Sequence, residues 1–333
     1  MKTVFRMGAA AVLAMGLSAQ AQAEKVRIQV YPGNITSLYA YLGVNKGFYQ
    51  KQGLDVELVN ISTGPQANAA LASGSVDLVM TTPDNMLLFK ARGFDPVAVT
   101  GNAKEPVMRL VGRKQVDVPE GAGYREVMTA MKGKTLGVYG LGSAAHRYIS
   151  LIARDAGLAE GDIRYTAVSN GGQSTAGLMT GQMDAVTEVF ATGIAVEQLG
   201  LGRVLLDCAR QDCPEWARST GQMAQAWWTT HKYLESHPQQ IAQVQSAHRE
   251  IDAWLRDPAH LQELTDTLKA VYEAPAGTQP DAFFAAVAQR VPGYFSVATN
   301  AQALKETQDI MLSTGELKKP VELAPMIMPG TGD

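Results

Sequence analysis

Short, apolar, β-branched runs alternate with segments of helical spacing along the first two thirds of the chain, and the alternation is played through twice. "RIQVYPGNITSLYAYLGVNKGFY" (27–49) and "KTLGVYGLGSAAHRYISLIARDAG" (134–157) each read as strand, loop and helix. A second strand follows each, "LDVELVNIS" and "DIRYTAVSN", and then come two stretches that align without a gap. These are "GPQANAALASGSVDLV" (64–79) and "GGQSTAGLMTGQMDAV" (171–186), which share Gly64/Gly171, Gln66/Gln173, Ala69/Ala176, Leu71/Leu178, Gly74/Gly181, Asp77/Asp184 and Val79/Val186. A third strand closes each copy, "VDLVMTT" or "MDAVTEV". The chain therefore predicts two β-α-β-α-β units, each a mainly parallel sheet flanked by helices. Ligands of such sheets sit at the carboxyl ends of the strands, against helix N-termini. Two lobes face to face would line a cleft with loops from both.

The connections follow from the same pattern. "PVAVTGNAKEPVMRLVGR" (96–113) is two β runs broken by a polar joint, and suits a first crossing between lobes. A return is expected near "MAQAWWTTHKYL" (223–234), which divides the chain into a discontinuous lobe I (24–106 and 223–333) and a lobe II (107–222). From about His231 to Leu317 the spacing is amphipathic and helical, clearest in "PQQIAQVQSAHREIDAWL", and should pack back onto lobe I. "EAPAGTQPD" and the tail "KKPVELAPMIMPGTGD" read as loop or poorly ordered chain.

The N-terminus changes the setting. Lys2 and Arg6 flank a start that runs into "MGAAAVLAMGL" and ends in Ala21-Gln22-Ala23, the layout of a signal peptide over 1–23 cleaved before Glu24. No cysteine near that site could carry a lipid anchor, and no later run approaches the ~18 apolar residues of a membrane span. A soluble periplasmic chain, exported and processed, is the expectation. Losing Lys2 and Arg6 takes the formal net charge from −3 to −5, and no Lys/Arg-rich run offers a nucleic-acid surface. Cys208 and Cys213 lie five apart, and in an oxidising compartment a disulfide is favoured over two free thiols. Two cysteines cannot build a zinc site, so no metal is expected.

Gly140-Leu141-Gly142-Ser143-Ala144-Ala145 fits G-x-G-x-x-A, the dinucleotide-binding turn. That turn needs an acid at the end of the next strand for the ribose, and "RYTAVSNGGQ" has none. The glycines then serve to bring backbone N–H groups of Gly142, Ser143 and Ala144 close to a ligand at a helix start, and no cofactor is expected.

"YLGVNKGFYQKQGLDVELV", "GPQANAALASGSVDLVMTTPDNMLLFKARG" and "MKGKTLGVYGLGSAAHRYISLIARDAGL", in that order, resemble the periplasmic substrate-binding proteins of ABC importers. The branch is the nitrate, taurine/alkanesulfonate and thiamine-precursor group (NMT1/THI5-like). The resemblance implies a two-lobed type II periplasmic binding fold, α/β throughout, that closes on one small molecule. It also implies delivery to a membrane permease and its ATPase, by a protein expected to act as a monomer. In that family the loop before the helix carries Gly-Ser-x-x-His beside the ligand, and Gly142, Ser143 and His146 match it.

Candidate contacts come from the strand-to-helix loops. Lobe I offers Asn34, Thr36 and Ser37, then Thr63, Gly64 and Gln66, then Thr82 as N-cap with Pro83 and Asp84 behind it. Lobe II offers Gly142, Ser143, Ala144 and His146, then Gly172 and Gln173, then Glu188 and Phe190. Each has a plainer alternative. Ser143 can simply cap its helix, His146 can pack between helices, and Asp84 can stabilise the helix dipole. Arg147, beside His146, should diverge by ~100° and face solvent. Glu188 at a strand's cleft end needs a partner, either a ligand donor or a cation of the other lobe. Of Tyr31, Tyr39, Tyr139, Phe190 and Trp227, some could stack on a ring, though most should be core. The expected ligand combines polar or anionic groups with donors: an aminosulfonate, an aromatic acid or a pyrimidine.

Two other roles stand beside import. A ligand sensor feeding a membrane kinase would use the same cleft. A thiamine-pyrimidine-type enzyme of this fold would need a cysteine-rich iron motif, and neither that cluster nor G-x-S-x-G nor H-E-x-x-H is present.

Overall fold

The computed structural model describes residues 25–104, 109–188, 191–208, 213–219 and 223–332. The expected signal peptide at 1–23 lies outside them, as do the joints at 105–108 and 220–222, where the expected lobe boundaries fall.

The first unit runs β1 (Val26–Val30), α1 (Leu38–Asn45), α2 (Phe48–Lys51), β2 (Val56–Asn60), α3 (Gly64–Ser73), β3 (Val79–Thr81), α4 (Pro83–Ala91) and β4 (Pro96–Ala103). The second runs β5 (Arg109–Arg113), α5 (Tyr124–Ala130), β6 (Thr135–Val138), α6 (Ala144–Asp155), β7 (Arg164–Ala167), α7 (Gly171–Thr180), β8 (Ala185–Glu188), α8 (Ala191–Gln198), β9 (Gly202–Asp207) and α9 (Glu215–Ser219). After it come β10 (Gln225–Thr230) and the helices α10 (His231–Ser236), α11 (Pro238–Arg256), α12 (Leu261–Val271), α13 (Pro280–Tyr294) and α14 (Ala301–Ser313).

Both sheets have one topology. In the second, the order is β7-β6-β8-β5-β9, with β7, β6 and β8 parallel and β5 antiparallel to both its neighbours. In the first, β2 pairs parallel with β1, a parallel bridge from Ile28 to Leu78 joins β1 to β3, and β10 lies antiparallel between β3 and β4. Each sheet is thus mainly parallel with one reversed strand, the one that follows a joint. The return segment therefore does more than cross: "QAWWTT" becomes an interior strand of the first sheet, with Trp227 and Trp228 fully buried.

The repeat has a physical content. α3 and α7 both begin behind a polar N-cap, Thr63 or Asn170, and both end on a left-handed glycine, Gly74 or Gly181. The two shared aspartates hold equivalent strands: Asp77 accepts the backbone N–H of Arg27 at 2.7 Å, and Asp184 that of Thr135 at 2.9 Å. These carboxylates tie the third strand of each unit to the first.

Lobe I is completed by the C-terminal helices. α11 buries His248 among Tyr39, Tyr49 and Trp227, with Tyr49 Oη 2.8 Å from Nε2. Burial pushes this imidazole down to about 3, so it is neutral. The tail is irregular yet anchored: Met326 is fully buried, and the Met328 N–H donates to the Ala98 carbonyl at 3.0 Å. Cys208 and Cys213 are joined as a disulfide in the second hydrophobic core. Among the described residues no helix is long and apolar enough to cross a membrane.

Candidate functional site

The loops at the carboxyl ends of the strands meet in a cavity enclosing about 720 Å³, counting its open mouth. Lobe I supplies Tyr31, Asn34 and Thr36 after β1, Ser62 to Gly64 after β2, and Thr81, Thr82 and Asn85 around the start of α4. Lobe II supplies Tyr139, Ser143, Ala144 and Ala145 around the start of α6, with Ser169 and Thr187, and Gln225 closes the floor from β10. None of these lining side chains is charged.

Local geometry explains the choice of residues. Asn34 Oδ1 accepts from the Thr36 N–H at 3.0 Å and its hydroxyl at 2.9 Å, folding the loop into a turn. Ser143 Oγ accepts from the His146 N–H at 3.3 Å, leaving the hydroxyl proton and the first N–H groups of α6 toward the cavity. Thr82 makes no capping bond to a backbone N–H of its own helix, and Pro83 fills the first helical position. Its hydroxyl instead accepts from Asn85 Nδ2 at 3.0 Å, and the same amide donates to Thr81 Oγ1 at 3.1 Å. Both threonine oxygens are thereby occupied as acceptors; the Thr82 proton is left to donate, while Thr81 is also hydrogen-bonded to Tyr31. Gly64 is required by this cluster, since a Cβ there would stand 2.5 Å from Asn85 Nδ2. Desolvation pushes the Tyr31 phenol up to about 12, against a hydrogen bond with Thr81 that lowers it, so it stays neutral. Gln225 Oε1 is buried and has no protein partner.

Behind the lining lies a charged contact between the lobes. Arg147 of α6 donates through Nη2 to the Asp84 carboxylate of α4 and, at 3.1 Å, to Asn85 Oδ1; its Nε lies 3.3 Å from Glu316. Burial opposes the guanidinium's charge, yet Asp84 and Glu316 carry its pKa above the ordinary value. The expectation that Arg147 faces solvent is thus corrected: the ~100° step from His146 turns it away from that residue and onto lobe I, which stands over this face of α6. Arg147 fixes the Asn85 amide, and Asn85 fixes the threonine hydroxyls. This chain carries lobe contact into donor orientation.

The expected site residues distribute as follows. Asn34, Thr36, Thr63, Gly64, Thr82, Ser143 and Ala144 line the cavity. Asp84 sits in the ion pair with Arg147 instead. Ser37 turns back to its own loop, accepting from the Tyr31 N–H at 2.8 Å, and Gln66 is exposed. Gly142 donates to His146 Nδ1 at 2.9 Å, while the His146 ring packs edge-on to Tyr165 and braces the loop from behind. Burial, with Arg147 adjoining, lowers the His146 pKa. Gly172 lines an adjoining groove, and Gln173 Oε1 accepts from the Ser169 N–H at 2.7 Å. The Glu188 side chain and Phe190 lie outside the described residues. Thr81, Asn85, Ser169, Thr187 and Gln225 were not anticipated. A glutamine heading the otherwise apolar "QAWW" run was the available signal for the last. Tyr39 and Trp227 are core, whereas Tyr31 and Tyr139 reach the cavity.

Two matched α/β lobes with a cleft at their strand ends define the type II periplasmic binding fold. The chain superposes on a Bordetella bronchiseptica RB50 protein with a TM-score of 0.74 at 22% identity, covering 92% of this chain and 95% of that one. It superposes on the alkanesulfonate-binding protein SsuA of Xanthomonas axonopodis pv. citri, bound to MOPS, with a TM-score of 0.69 at 20% identity, over 91% and 98% of the two chains. The chain belongs to the NMT1/THI5-like family, whose model matches residues 34–260. It is also 28% identical over 145 residues to the 4-amino-5-hydroxymethyl-2-methylpyrimidine phosphate synthase THI13 of Saccharomyces cerevisiae, a match covering 44% of this chain. That match spans only 40% of the yeast protein's own length.

Proposed function

We propose that this protein is the extracytoplasmic solute-binding subunit of an ABC importer, and that it captures a small organic anion, a sulfonate or carboxylate carrying a donor group. The observation that carries the reading is the cavity's chemistry. Helices α3, α4 and α6 all begin at it, hydroxyls of Thr81, Thr82 and Ser143 border it, and among the described residues no cation does. Helix N-termini and neutral donors stabilise a monoanion without a lysine or arginine, each helix start contributing about 0.3–1 kcal/mol and up to ~2 where partly buried. The unpaired Gln225 carbonyl asks for a donor on the same ligand, an amine or hydroxyl. The SsuA neighbour, an alkanesulfonate-binding protein, supports the sulfonate class.

The leader-like N-terminus and the Cys208–Cys213 disulfide support an exported chain. A synthase reading draws on the yeast relatives, but the cysteines of this chain number two and are bonded to each other, which leaves no cysteine cluster for an iron motif. Isothermal titration of the refolded protein with taurine, alkanesulfonates, aromatic carboxylates, nitrate and a pyrimidine tests the proposal. Saturable heat with a sulfonate or carboxylate is expected. Binding of the pyrimidine alone would move the protein to the thiamine-precursor class. A permease and ATPase encoded beside it would separate import from sensing by a membrane kinase.

A further inference from the structure

The anion cavity is not the end of the cleft. A groove of about 1470 Å³, open to solvent, adjoins it and shares Asn34 and Tyr139 as lining. One wall is the start of α7 and α8; the other is the α12–α13 hairpin, folded over from the C-terminal part of the chain. The two walls differ in chemistry. On the hairpin side the floor is Leu268, Phe284 and Val287, and half-buried Val271 and Tyr272 stand above it. On the lobe II side, Thr192 is 1% exposed and its hydroxyl has no hydrogen-bond partner. An apolar floor with one unsatisfied polar group on the facing wall is the lining of a ligand pocket.

We infer that the groove is a second subsite of the same cleft, and that it takes an apolar, preferably aromatic, arm of the anion whose head occupies the inner cavity. The inference rests on the anion reading above and narrows it: the substrate is an organic acid with a bulky arm, not a two-carbon acid. Continuity carries the assignment. An arm attached to a head group near Ser143 and Thr82 leaves the inner cavity past the Tyr139 ring, and the groove begins at that ring. Tyr139 then stacks on or edges an aromatic arm, the hairpin floor removes it from water, and the Thr192 hydroxyl meets a polar substituent.

The test is an affinity series by isothermal titration at constant head group: methane-, ethane-, butane-, hexane- and benzenesulfonate, with acetate to hexanoate and benzoate in parallel. Each methylene fully buried should tighten binding about fourfold, so the longer and aromatic acids should bind at least tenfold tighter than the shortest. Val271→Glu places a charge on the groove wall at a half-buried helix end, and its fold is checked by thermal unfolding. It should abolish the gain from the arm and leave the short acids unchanged. Affinity independent of arm length, with short acids bound, overturns the subsite and leaves the anion reading standing. A gain that survives Val271→Glu overturns the placement of the arm. Silence across both series removes the anion reading and the subsite together.

Discussion

Replacing Arg147 by methionine should lower ligand affinity far more than it lowers the stability of the fold. The Asp84 side chain is 2% exposed and that of Arg147 17%, so each is withdrawn from water in the other's company. Removing one member of such a pair leaves the other charge buried alone, at a cost of about 3–5 kcal/mol. The pair spans the lobes, so the protein has an escape. A hinge opening that separates α4 from α6 rehydrates Asp84 and relieves the penalty. The cost therefore falls on the closed state, and ligand binding must supply it. About 3–5 kcal/mol corresponds to a loss of two to almost four orders of magnitude in affinity. Asn85 adds to the effect, because its Oδ1 loses the donor that fixes the amide holding Thr81 and Thr82. Arg147→Met/Asp84→Asn removes both charges, and should recover most of the loss. The assay is a double-mutant cycle by isothermal titration with the tightest acid of the sulfonate and carboxylate series, with small-angle scattering to read lobe opening. Affinity of Arg147→Met within threefold of wild type would refute the argument, as would a double mutant as weak as the single one.

Three further outcomes follow from single features. Gln225→Leu removes a buried, unpartnered carbonyl and should raise unfolding stability by about 1–3 kcal/mol while weakening a ligand that carries an N–H or O–H group; denaturant melts and titration read the two opposite changes, and a variant that loses both would show Gln225 to be structural. Gly64→Ala forces a Cβ to within 2.5 Å of Asn85 Nδ2, so ligand affinity should fall at least tenfold and stability by about 1–3 kcal/mol, checked by titration and thermal unfolding. His248, held at about 3 by burial against an ordinary 6.5, stays neutral while the unfolded chain takes up a proton. Its contribution is therefore present above pH ~6.5 and lost toward pH ~3 at about 1.4 kcal/mol per unit, and urea melts of wild type and His248→Gln should diverge in slope over that window.

Much of the fold was legible because its determinants are local and repeated. The glycine ending each of α3 and α7, the aspartate three residues beyond it, and the apolar run that follows recur at fixed spacing, since each unit solves the same problem of docking a third strand onto a first. Periodicity also found the C-terminal helices. It could not show that "QAWWTT" would be an interior strand of the first sheet, because its partners, Val79–Thr81 and Pro96–Ala103, lie more than 120 positions away in the chain. The Pro-rich tail read as loose for a related reason: what anchors Met326 and Met328 is the far-off strand β4 and the core beneath it, not any pattern of its own.

The cleft divides along the same line. Residues at strand-to-helix turns, Asn34, Thr63, Thr82 and Ser143, could be named from sequence because a helix start specifies both its residue type and its place at the strand ends. Asn85 and Arg147 could not, since one turn into a helix a polar residue has no local reason to face inward. What turns them is the opposing lobe, and each makes sense only through the other: Arg147 needs Asp84 to justify its burial, and Asn85 needs Arg147 to choose between its two amide orientations. The Thr82 hydroxyl, which the sequence does identify, owes its donor geometry to this contact. A variant that keeps every residue of the cavity lining but breaks the contact behind it should therefore bind poorly, and Arg147→Met is that variant.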